Sequence, residues 1–228
     1  MTNATSIDKR SFDQMAADWI RNAILSGDLT PGSKVTELGL TERIGLSRST
    51  VRTAMQRLVG EGLLVQHAYS GWEVASLSME DAWELYTLRC GLEGLASKLA
   101  AERIDDVGRK TLLDAFEDLK LAVEERDRRK VAEADIGLHR TIVSLAKHRR
   151  LSMLHAQIIS PIHLYVLSSN RAIFDDVSLA HAQLVDAILR GDASEAQRLA
   201  CDHVTVACEL LLKRLEDKGE LPASEPPS

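Results

Sequence analysis

Apolar positions recur at helical spacing through the opening segment: Phe12, Met15, Ala16, Trp19, Ile20, Ala23 and Ile24, with Gly27 ending the run. Leu29-Thr30-Pro31-Gly32-Ser33 reads as a turn, and Lys34-Val35 as a bridge strand. Thr36 can cap a short helix that runs to Ile44, Gly45 supplies a turn, and Ser47 caps a helix from Arg48 to about Glu61. Val51, Met55, Leu58 and Val59 give that helix its core face. Gly62 stops it. Leu63 to Gln66 and Trp72 to Ala75 then read as two strands of a hairpin with Gly71 near its tip. Beyond residue 76 the pattern changes to long amphipathic stretches with few breakers, and it predicts six helices over 79–102, 106–126, 128–146, 151–169, 175–189 and 193–216. Residues 171–174 read as a connection, and Gly191-Asp192 separates the last two helices.

The punctuated front and the nearly unbroken rear imply two domains, 1–76 and 77–218. A tail follows over 219–228; it carries three of the chain's five prolines and is expected to be disordered. Helix, short helix, glycine turn, helix and hairpin form the order of a winged helix-turn-helix. The expected fold class is therefore mainly α, with an N-terminal winged helix-turn-helix domain ahead of an all-α antiparallel bundle of about six helices. Composition fits: aromatics are only 4% of the 228 residues, so the core must be aliphatic. The net charge of −6 excludes a uniformly basic nucleic-acid coat, although a local basic patch is compatible with it. Cys90, Cys201 and Cys208 are odd in number and show no CxxC pairing, which argues against a disulfide framework and for a reducing cytoplasm. No uncharged stretch reaches membrane-spanning length, and the start has no apolar run like that of a signal peptide.

One local patch stands out against the acidic whole. Between Arg43 and Gly60 there are four arginines (Arg43, Arg48, Arg52, Arg57) and no acidic residue. Arg48 and Arg52 are four apart and share a face near the helix start, flanked by Ser47, Ser49 and Thr50. Short hydroxyl residues and a helix N-terminus suit phosphate, and arginine can donate two hydrogen bonds to guanine. On spacing alone, these arginines read equally well as a solvated face pairing with Glu37, Glu42 or Glu61. The following hairpin favours DNA, since a wing is a second probe of the duplex. Ala23 to Leu29, Pro31-Gly32-Ser33, Leu46 to Arg52 and Arg57 to Leu63 resemble, in that order, the GntR family of bacterial transcription regulators. The resemblance implies a homodimer reading a two-fold operator, with Ser47, Arg48, Ser49, Thr50 and Arg52 at the DNA and Gly71 in the wing. Gly39, inside the first helix of the motif, departs from the family's usual better helix former.

In the rear region, polar residues interrupt apolar stripes. Asp135 falls within the series Val131, Leu138, Ile142, Leu145, and His139 follows four residues later. His181 occupies the missing position of Val177, Leu184, Ile188, and His203 that of Leu199, Val206, Leu210. Any one of these histidines alone reads as a core residue bonded to backbone or a nearby acid. Together, three imidazoles and a carboxylate aimed into one bundle suit a divalent cation, zinc foremost, with nickel, iron or manganese possible. Asp135 to Arg140, His181 with Leu184, Val185 and Ile188, Gly191-Asp192, and His203 resemble the all-helical FCD effector domain of the FadR branch of GntR regulators. A count of six helices resembles its VanR-like subgroup. The resemblance implies a metal held by Asp135, His139, His181 and His203, and a small carboxylate effector beside it. Arg89 matches an arginine that can face the pocket; it reads nearly as well as a surface partner of Glu93. Ala180 stands where an acidic residue is frequent, and Ala146 to Arg149 replace a segment that often carries asparagine. His163 and Tyr165 read as core packing, and His148 and His155 as surface or bundle-end residues. The function expected is a cytoplasmic, ligand-responsive transcription regulator, most simply a repressor, and not an enzyme. The alternatives are a direct metal sensor and, more remotely, a metallohydrolase, for which no arranged general base or oxyanion donor is evident.

Overall fold

The computed structural model describes residues 11–68, 71–168 and 177–217, the side chains at 128, 163–168, 177–179, 214 and 217 excepted. The connection expected over 171–174, the tail over 219–228, and the side chains of His163, Tyr165 and Val177 lie outside the described residues. The chain divides into two compact units, Met1–Ser76 and Leu77–Ser228.

The first unit holds α1 (Phe12–Leu25), β1 (Lys34–Val35), α2 (Glu37–Ile44), α3 (Arg48–Gly60), β2 (Leu64–His67) and β3 (Gly71–Val74). Its sheet has the order β1-β3-β2, antiparallel throughout, with Leu64 opposite Val74 and Val35 opposite Trp72. Caps set the helix starts: Thr36 accepts from the Gly39 amide and Ser47 from the Thr50 amide. Gly45 takes φ +76° at the end of α2, the left-handed conformation that turns the chain into α3. Helix α1 packs on α3, burying Ala16, Ala17, Ile20 and Ile24 with Val51, Ala54, Met55 and Leu58. Two expectations need correction. Phe12 and Met15 are exposed, so the buried stripe of α1 begins at Ala16. Val59 is also exposed, because Ala54 holds the fourth buried position of α3.

The second unit holds α4 (Met79–Arg103), α5 (Asp106–Glu125), α6 (Arg128–Leu145), α7 (Arg149–Ser168), α8 (Val177–Arg190) and α9 (Ala193–Asp217). A capping box between Ser78 and Asp81 starts α4. Helix α4 runs along α9 and also meets α6, α7 and α8; α5 packs on α6, and α8 on α9. The aliphatic core combines Leu112, Leu119, Leu138, Ile142, Leu184 and Ile188 with Ala196 and Ala200. In α9 the expected stripe is displaced: Val206 and Leu210 are exposed, while Ala196, Ala200, Val204, Cys208, Leu211 and Leu215 are buried. Small residues go inside because the helices approach closely. A Cβ on Gly94 of α4 would stand 2.7 Å from Cys201 Sγ of α9. The three cysteines are free thiols, and no helix among the described residues is long and apolar enough to cross a membrane.

Candidate functional site

Two clusters, one in each unit, collect the residues singled out in the sequence. At the start of α3, Ser47, Arg48, Ser49 and Arg52 are exposed and Thr50 is half-buried. The Ser47 hydroxyl lies 3.0 Å from that of Ser49 and 2.8 Å from that of Thr50. Glu37, at the start of α2, joins the two helices. Its Oε2 accepts from Arg48 Nε at 2.7 Å, and its Oε1 accepts from Arg52 Nε at 2.7 Å. Arg52 Nη2 adds a bond to Oε2 at 3.0 Å. The pairing expected of a solvated face is therefore present. It leaves the arginine side chains 68% and 55% exposed, however. Hydrogen bonding from Arg52 holds the Glu37 carboxyl at about 2, against the opposing pull of burial and with help from Arg48. Arg57 pairs with Glu61, which also receives Arg21. Gly71 opens β3 at φ +96°, exposed, opposite His67.

In the second unit, α6 supplies Asp135 and His139, α8 supplies His181 and α9 supplies His203. One ligand atom from each lies within 4.8 Å of the others. His181 Nε2 is 3.3 Å from His139 Nε2 and 3.1 Å from Asp135 Oδ1, and His139 Nε2 is 3.8 Å from that oxygen. An ion with bonds near 2.0–2.1 Å sets tetrahedral ligands about 3.3 Å apart, so these spacings fit one cation. The rings of His139 and His181 are buried, while Asp135 is about a quarter exposed. Burial, followed by the charges of His181 and His139, pushes His203 down to about 3. Burial likewise lowers His139. Both imidazoles are thus neutral at neutral pH with a lone pair to give. Asp135 is lowered: burial works to raise it, but the His181 hydrogen bond, with the Arg89 charge further off, outweighs burial.

A second tier of polar residues adjoins this cluster. Arg89 is not at the surface; it is 4% exposed and pairs with Glu93, which is 3% exposed, at 2.6 Å. Arg89 Nη2 has no hydrogen-bond partner, and the guanidinium stands 5.6 Å from the Tyr86 ring. His155 is buried at 2% exposure, contrary to the surface position expected, with Nε2 3.0 Å from Glu93 Oε1. Its spacing from Leu151, Ile158, Ile159 and Ile162 is that of a buried helix stripe, so the same signal that found His139 was present for it. Glu93 was legible only as a partner of Arg89. The buried face of α4 mixes Arg89, Glu93 and Ser97 with alanines, which blurs the pattern. His148 is exposed, as expected, and its Nδ1 accepts from the Leu151 amide at the start of α7.

Comparison with known proteins agrees with both units. Residues 12–74 match the family described as bacterial regulatory proteins, gntR family, and residues 84–206 match the FCD domain. The "Probable D-xylose utilization operon transcriptional repressor" of Paenarthrobacter nicotinovorans is 31% identical over 89% of this chain and 90% of its own. The transcriptional repressor GlaR of Escherichia coli K12 is 25% identical over 82% of this chain and 89% of its own. A GntR regulator from Rhodococcus sp. RHA1 superposes with a TM-score of 0.78 at 24% identity, over 90% of this chain and 99% of that one. E. coli McbR/YncC gives 0.77 at 19% identity over the same shares. These likenesses establish the fold, and six helices among the described residues of the second unit are consistent with the VanR-like subgroup of the FadR branch. The chain belongs to the GntR family of bacterial regulatory proteins, a transcriptional regulator with a winged helix-turn-helix unit and an FCD domain.

Proposed function

We propose that this regulator is a homodimeric, cytoplasmic repressor whose affinity for a two-fold operator is set by a small carboxylate bound beside a metal ion. Residues 1–76 serve as the DNA-binding domain, and 77–218 as the effector-binding and dimerisation domain. Ser47, Ser49 and Thr50 bind phosphate, Arg48 and Arg52 read bases in the major groove, and Gly71 lets the wing approach the backbone. Two such domains dock about one helical turn apart. Asp135, His139, His181 and His203 hold the ion, zinc being the best match to three imidazoles and a carboxylate. When bound, the ion supplies a Lewis-acid anchor for an anion, and Arg89 donates to the same carboxylate through Nη2. The effector shifts DNA affinity by binding two arrangements of the domains unequally, with the hinge near Ser76-Leu77-Ser78.

The observation that carries this reading is the convergence of four ligand atoms from three helices within 4.8 Å, beside a buried arginine with an unpartnered nitrogen. Repression is supported by the repressors among the relatives. The test is to titrate candidate carboxylates by calorimetry into metal-loaded protein and to measure operator affinity at constant metal. Affinity that responds to a carboxylate bears the reading out. Affinity that follows the ion alone replaces it with direct metal sensing.

A further inference from the structure

Glu93 lies on α4, outside the four-ligand set, yet its carboxylate touches three other buried groups. Oε1 accepts from Arg89 Nε at 2.6 Å and faces His155 Nε2, of α7, at 3.0 Å. Oε2 lies 2.8 Å from His139 Nδ1, of α6, in a close contact rather than an aligned hydrogen bond, and has no hydrogen-bond partner besides. Glu93, Arg89, His139 and His155 are each no more than 4% exposed. The Arg89 guanidinium and the Glu93 carboxylate form a buried ion pair. An ionised carboxylate only accepts, so each nitrogen facing it must carry a hydrogen. A neutral imidazole has one N–H. With that hydrogen on Nδ1, His139 keeps a bare Nε2, the atom that lies 3.3 Å from His181 Nε2.

We propose that Glu93 is a positioning residue for the metal centre: anchored by Arg89 and His155, its carboxylate fixes His139 in the Nδ1–H tautomer and presents Nε2 to the ion. The hydrogen bond made at one ring nitrogen decides the state of the other, and a carboxylate behind a ligating histidine also raises its basicity. The anchoring explains a buried arrangement that is otherwise expensive, because Arg89 and His155 give Glu93 the donors a buried carboxylate requires. It also brings α7, which supplies no ligand, into the support of the site. The inference rests on the metal reading above, but the tautomer can be read without any metal.

The deciding experiment uses full-length, metal-free protein with ring-¹⁵N-labelled histidine at neutral pH. Two-bond ¹H–¹⁵N spectra are expected to show His139 protonated at Nδ1 and bare at Nε2. Glu93→Gln should lose that signature and weaken zinc binding, measured by chelator competition, about 10–100-fold. Wild-type His139 protonated at Nε2 overturns the proposal, and that measurement stands even if the variant does not fold. A folded Glu93→Gln protein that keeps wild-type zinc affinity overturns it as well. Wild-type protein that takes up no zinc overturns the metal reading instead, and the tautomer still decides what Glu93 does to His139.

Discussion

Arg48 and Arg52 share a single carboxylate, and that sharing defines what each can do. Glu37 accepts from the Nε of each and from Nη2 of Arg52, yet leaves both side chains more than half exposed. Replacing Arg52 with Ala is expected to abolish specific operator binding in a gel-shift assay while circular dichroism keeps its helical signal. Glu37→Gln should keep both arginines but weaken their aim, lowering the ratio of specific to non-specific affinity. The same residue carries a pH dependence. Its carboxyl sits at about 2 in the fold against an ordinary value of 4.5, so on acidification the unfolded chain takes up the proton first. The stability this pair contributes is whole above about pH 4.5 and is lost as pH falls toward 2. Urea melts across that window should show a shallower acid slope for Glu37→Gln. In the second unit, Arg89→Met strands the Glu93 carboxylate without its guanidinium. A loss of about 3–5 kcal/mol is expected from denaturant melts, the usual consequence of breaking a buried ion pair.

Element by element, the segments with strong punctuation were readable in advance. Thr36, Gly45 and Ser47 bound α2 and α3 where their side chains and backbone require, and the hairpin pairs Leu64 with Val74 and His67 with Gly71. Gly39 is accounted for as well: it lies in the first turn of α2, donates to Thr36 Oγ1, and a Cβ there would stand 3.1 Å from that oxygen. The turn after α6 needs φ +50° at Lys147, a left-handed conformation that asparagine takes more easily. What could not be read was which side of α9 faces inward. Bulk suggested Val206 and Leu210, but the helix packs through alanines against Gly94, and tight approach favours small side chains over large ones. His203 sits at the border of that face, which is why it joins the cluster only half-buried. Gly94→Ala should accordingly drive α4 and α9 apart and destabilise the second unit by about 1–3 kcal/mol, read as a lower denaturation midpoint.

For the whole molecule, the sequence divides where the fold divides, at residue 76, because glycine turns give way to long helices there. The candidate metal site was legible as residue types in stripes; its closeness was not, since no pattern tells which helices of a bundle meet. Removing both His139 and His203 by alanine substitution is expected to abolish stoichiometric metal in elemental analysis. Adding zinc to wild-type protein should slow hydrogen exchange in α6, α8 and α9, and leave α1 to α3 unchanged. The pairing of α4 with α9 has one more consequence, for synthesis. The two helices that run along each other are the first and last of their unit, from Met79–Arg103 and Ala193–Asp217. About 90 residues separate them, so on the ribosome α4 waits roughly 5–20 s for its partner at ordinary elongation rates. The first unit is finished long before then, so the nascent chain carries a complete winged helix-turn-helix while its second unit still lacks half of its longest helix pair.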